Sequence, residues 1–148
     1  MDFKEYLAAS LFVTALLGWF IAQALKVVFI LIKYKRLDFS RFIGSGGMPS
    51  SHSSLVTSLA TGVGLIEGFD STLFTISIVL ALIVMYDAAG VRRAAGQQAK
   101  ILNKIVDTWG KEDYKLTEKR LKELLGHTPK EVVVGAILGV IIGLIRHF

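Results

Sequence analysis

The chain has 148 residues, which fits one domain, and 53% of them are hydrophobic. A mean hydropathy of +0.56 fits an integral membrane protein better than a soluble one of this size. There is no cysteine, which excludes disulfides and thiolate metal sites, and only three histidines, which leaves few ligands for any metal centre. The formal net charge is +5, and its basic segments flank apolar spans, so membrane topology explains it more simply than nucleic-acid binding does.

Leu7 to Ile32 is a long apolar run, interrupted by Gln23 and Lys26. At about 1.5 Å per residue it can cross a hydrocarbon core of roughly 30 Å. It is too long for the apolar core of a signal peptide, and its flank (Asp2, Lys4, Glu5) is not clearly basic. The run is therefore expected to be a retained first transmembrane helix. Residues 33–49 read as a basic, glycine-containing loop. A second helix is expected from Pro49, whose fixed φ suits a first turn, to about Gly68. Gly68-Phe69-Asp70-Ser71 predicts a tight turn, with Ser71 or Asp70 capping a third helix from Thr72 to about Val91. An amphipathic continuation reaches Asn103. Residues 107–127 are polar and charged, with a short surface helix from Thr117 to Gly126. The last span runs from Pro129 to about Ile145, short enough to require tilt or local thinning. The expected fold is a single all-α domain over 1–148, an integral membrane bundle of about four transmembrane helices.

Four crossings put both basic loops on one side, with Lys4 and Arg146 as the basic residues of the other. The positive-inside rule then assigns the loops to the cytoplasm and the termini to the outside. Gly135, Gly139 and Gly143 recur every four residues on the last helix, a spacing that permits close helix approach. Packing within the chain is the plainer reading of that stripe, and a homodimer seam is the other.

Two histidine motifs stand at expected helix starts. The first is Gly46-Gly47-Met48-Pro49-Ser50-Ser51-His52-Ser53-Ser54. Free N–H groups near Ser50, Ser51 and His52 would face an incoming anion, and His52 can protonate a leaving oxygen near neutral pH. A capped helix with an incidental surface histidine fits the same residues. The second is Gly126-His127-Thr128-Pro129-Lys130-Glu131. Glu131 can orient the His127 imidazole, and Thr128 with Glu131 also reads as a capping box. Lys26 and Asp87 lie inside expected spans, where an ionisable group must face the bundle interior. They read either as an ion pair that fixes packing or as a phosphate-binding lysine with an aspartate that positions basic groups. Arg92 and Arg93 follow at the helix end. They can grip phosphate oxygens or simply anchor a membrane-spanning end. His147 reads as an interfacial terminal residue.

GGMPSSHSS at 46–54, VMYDAAGVRRAAGQQAKILN at 84–103 and LGHTPKEVVVGAILG at 125–139 resemble the divergent type-2 phosphatidic acid phosphatase family. That family is a membrane branch related to acid phosphatases and vanadium-dependent haloperoxidases. The resemblance covers nearly the whole chain. It implies that His52 is a general acid, that His127 is a nucleophile oriented by Glu131, and that Lys26 binds phosphate. The chain departs from the wider pattern in four places. No arginine-proline pair follows Lys26, with Arg41 a loose substitute; Ser51 replaces a glycine; Glu131 replaces an aspartate; and no serine-arginine pair precedes His127. Arg92 or Arg93 would then supply the guanidinium from another helix. The implied function is metal-independent, cofactor-free hydrolysis of a lipid-linked phosphate or diphosphate through a phosphohistidine. A non-catalytic phosphate- or phospholipid-binding membrane protein is the alternative, and a small transporter or channel component using Lys26 and Asp87 ranks last.

Overall fold

The computed structural model describes residues 3–35, 47–109 and 126–147. Five helices follow in chain order: α1 (Phe3–Tyr34), α2 (Ser51–Glu67), α3 (Thr72–Ala89), α4 (Val91–Trp109) and α5 (Pro129–His147). No strand occurs among the described residues. Ser10–Ile32 and the α3–α4 stretch Thr72–Ile105 are each long and apolar enough to cross a bilayer. Large apolar side chains of α1 and α3, such as Phe12, Phe20, Ile76 and Ile83, point outward. In a membrane these are lipid-facing positions, not defects of packing. The protein is an all-α membrane helical bundle.

The centre of the bundle is α2, which packs against α1, α3 and α5. Its surface is built of serine, threonine, glycine and alanine, which lets neighbouring backbones come close. Small hydroxyls in an apolar layer need partners, and they find them on the flanking helices. Ser54 Oγ donates to the Gly18 carbonyl of α1 at 2.8 Å, and Ser58 Oγ to the Thr14 carbonyl at 3.3 Å. On the other side Thr57 Oγ1 donates to the Ala136 carbonyl of α5 at 3.0 Å. The α5 glycines complete the seam. A Cβ at Gly135 would strike the Ser50 backbone, one at Gly139 the Ser54 carbonyl and Thr57 hydroxyl, and one at Gly143 Thr61. All three glycines are buried there, so the stripe is a seam within the chain. Two copies could pair through it only if α2 were displaced.

The chain direction reverses at the expected turn. Ser71 caps α3, its Oγ accepting from Phe74 N–H at 3.1 Å. α2 and α5 run parallel with their N-termini together, because Ser50 N–H donates to the Glu131 carbonyl at 3.0 Å. The Lys26 end of α1 and the Ala88 end of α3 lie at this same end of the bundle.

Three boundaries differ from expectation. α2 begins at Ser51, not Pro49, because Ser50 holds an extended conformation and serves as N-cap, its Oγ accepting from Ser53 N–H. The third helix stops at Ala89, one residue before Gly90, and the amphipathic continuation is a separate helix that runs on to Trp109. α5 extends to His147, which is only half-buried but is no loose end. Its Nε2 lies 2.7 Å from the hydroxyl of the buried Thr14, tying the far end of α5 to α1. The expected surface helix from Thr117 to Gly126 lies outside the described residues except for Gly126, which is not helical.

Substituting Gly139 with valine forces side-chain atoms into the α2 backbone. Overpacking of this kind costs about 1–3 kcal/mol. The Gly139→Val protein is expected to melt at a clearly lower temperature in detergent than the parent, whereas Ile141→Leu, on the lipid-facing side of α5, leaves the melt unchanged.

Candidate active site

The two histidine motifs meet. The His52 and His127 rings lie in edge-to-face contact, with centroids 5.6 Å apart and planes at 74°. Three contacts bring about the meeting. Ser50 N–H to Glu131 C=O joins the start of α2 to the start of α5. His127 N–H donates to the Ala88 carbonyl at 3.1 Å, fixing the residues before α5 to the end of α3. Gly135 lets α5 ride directly on the Ser50 backbone. His52 then projects from the first turn of α2, half-buried, and His127 is fully buried beside it.

Lys26 enters from α1 and is 2% exposed. Its Nζ donates to Gln23 Oε1 at 2.8 Å and to Ser51 Oγ at 3.1 Å. The carboxylate whose field reaches this ammonium is that of Glu131. Asp87 is half-buried on α3, one residue before the carbonyl that receives His127 N–H. Gln23 was legible in the sequence only as an interruption. Its three-residue spacing from Lys26 puts both on one helix face, and that is the signal for its role.

Glu131 forms the capping box. Its Oε2 accepts from Thr128 N–H at 2.9 Å, and Thr128 Oγ1 accepts from Glu131 N–H at 3.4 Å. Ser50 has a comparable structural duty. Its N–H joins the two motifs, and its Oγ accepts both Ser53 N–H and Ser53 Oγ–H. Ser51 contributes its hydroxyl to Lys26. The backbones of Arg92 and Arg93 belong to the first turn of α4, while their side chains, like the whole of Arg41, lie outside the described residues. No cluster of three metal-ligating side chains occurs among the described residues.

The electrostatics favour an anion. Two helix N-termini carry partial positive charge and converge on the same place. Lys26 adds a full charge. The imidazoles supply one group that can attack and one that can donate a proton.

The chain is thus an all-α membrane bundle in which two histidines meet at adjoining helix starts. The chain belongs to the divergent PAP2 family, whose model matches residues 7–142. It is 46% identical over 134 residues to the uncharacterized membrane protein YuiD of Bacillus subtilis (strain 168), covering 84% of this chain and 85% of that one. No solved structure matches it.

The capping box separates two roles for Glu131. Glu131→Gln keeps an acceptor for Thr128 N–H, so its stability is expected to stay within about 0.5 kcal/mol of the parent. Glu131→Ala is expected to lose about 1 kcal/mol in detergent unfolding. A fall in activity in Glu131→Gln without a fall in stability would assign the carboxylate's charge a part in the site chemistry.

Proposed function

We propose that this protein is a membrane-embedded, metal-independent phosphatase acting on a lipid-linked phosphate or diphosphate. The observation that carries the reading is the contact of His52 with His127 beside a buried lysine. Because the rings touch and His127 is fully buried, the half-buried His52 ring must turn aside for a phosphoryl group to meet both of them. His127 attacks phosphorus as the ester P–O bond breaks, and His52 gives its proton to the departing oxygen. His52 then takes a proton from water, whose oxygen attacks phosphorus as the P–N bond breaks, and phosphate leaves. Lys26 and the N–H groups of the first turn of α2 stabilise the equatorial oxygens, with Arg92 or Arg93 as the further cation. Ser51 positions Lys26, Ser50 and Glu131 hold the two helix starts together, and Asp87 shapes the end of α3 on which His127 hangs.

The chain crosses the bilayer several times in this reading. The basic residues gathered at the histidine end assign that end to the cytoplasm. The absence of a serine-arginine pair before His127 favours a second reading, a phosphate- or phospholipid-binding protein without turnover.

Release of phosphate from lipid phosphates by purified protein in detergent micelles tests the two readings. His127→Ala is expected to abolish release. His52→Ala is expected to lower it by about 10²–10⁴-fold, with much less loss on an aryl phosphate whose leaving group needs no proton. Acid-labile, base-stable radiolabel on the parent, lost in His127→Ala, identifies the phosphohistidine. Full activity of His127→Ala eliminates the covalent route. Lipid-phosphate binding with no release from any substrate establishes the second reading.

A further inference from the structure

α1 and α5 both pack on α2, and between them the bundle leaves an open apolar groove of about 300 Å3. That size is at the lower end of ligand pockets. Its walls are Leu25 and Phe29 of α1 and Val134 and Leu138 of α5, with Met48 and Pro49 at one end. Every lining side chain is apolar. The groove ends beside the start of α2, where Met48 and Pro49 line it. Leu25 precedes Lys26, Pro49 precedes the α2 cap Ser50, and Val134 precedes Gly135, which rests on the Ser50 backbone. The α1 wall also lies within Ser10–Ile32, the segment long and apolar enough to cross the bilayer. The groove therefore lies at membrane depth, with one end beside the start of α2 that carries His52.

We infer that this groove is a substrate subsite that holds one hydrocarbon chain of a phosphate-bearing lipid while its phosphate lies against His52 and His127. The inference rests on the phosphatase reading for its headgroup. A chain already dissolved in lipid gains little hydrophobic free energy on entering, because lipid tails are as apolar as the groove. What the groove supplies is alignment. A chain lying along it leads its headgroup to the joined starts of α2 and α5, which makes attack effectively intramolecular. Substrates lacking a chain long enough to reach Phe29 and Leu138 lose that alignment and no other part of the site.

Two measurements test this. The first uses Leu138→Trp, which fills the groove from the α5 wall, in protein whose melt matches the parent. Its kcat/KM for a long-chain phosphatidic acid is expected to fall by about tenfold or more, while that for hexyl phosphate stays level. An equal effect on both substrates, or none on either, overturns the subsite. The second needs no turnover. Parent protein in phosphatidylcholine vesicles is irradiated with phosphatidic acid carrying a diazirine on one acyl chain. Label is expected on Phe29, Met48 and Leu138 above that on Ile76 and Ile83 of α3, and excess unlabelled phosphatidic acid should displace it. Label spread evenly over α1, α3 and α5, without displacement, overturns the proposal. Displaceable groove labelling without phosphate release would remove the phosphatase reading and leave the subsite standing. Release of phosphate with even labelling would do the reverse.

Discussion

The structure depends on the close approach of backbones on both sides of α2. Lipid tails give helices no hydrophobic reason to associate, so contact must come from packing and hydrogen bonds. α2 meets that constraint with small side chains. Gly18 of α1 faces Ser54 and Ser58 on one side, and Gly135, Gly139 and Gly143 of α5 face Ser50, Thr57 and Thr61 on the other. The hydroxyls of Ser54, Ser58 and Thr57 then reach carbonyls of the neighbouring helices. Larger residues along this seam would separate α5 from α2, and His127 from His52 with it.

The polar groups at the site end divide their work. Ser50 and Glu131 act mainly through the backbone and caps: one N–H to carbonyl bond joins them, and each also completes a helix start. Ser51 and Gln23 hold Lys26. The imidazoles are thereby brought into contact by residues that need no part in bond making. Such a division suits preorganised chemistry, in which the groups around the reacting atoms are fixed before substrate arrives.

Much of this was legible in the sequence. Apolar runs gave α1 and α3, Ser71 gave the α3 cap, and the Thr128–Glu131 spacing gave the capping box. The every-fourth-residue glycines gave the close seam, and the complementary ridge on α2 carries the same spacing, in Ser50, Ser54 and Ser58 and in Thr57 and Thr61. The start of α2 was misplaced by two residues because Pro49 and Ser50 both suit a helix start, and the outcome turned on Ser50 meeting Glu131 from 81 positions later in the chain. The partners of Lys26 were likewise partly a matter of tertiary geometry: Gln23 shares its helix face, whereas Ser51 comes from α2. His147 reads from the sequence only as an interfacial terminal residue, because the buried Thr14 that it meets is distant in sequence.

The seam on α2 also bears on how the bundle is assembled during synthesis. α2 carries five buried hydroxyl residues between Ser51 and Ser58, so it is a poor candidate to partition into lipid unaided. α1 emerges first and can receive Ser54 and Ser58 at once. The bonds from Thr57 to Ala136 and from Ser50 N–H to Glu131 must wait until α5, some 80 residues later, leaves the ribosome. Until then one flank of α2 is polar and uncovered, and the nascent bundle depends on the insertion machinery, or on water at the membrane surface, to shelter it.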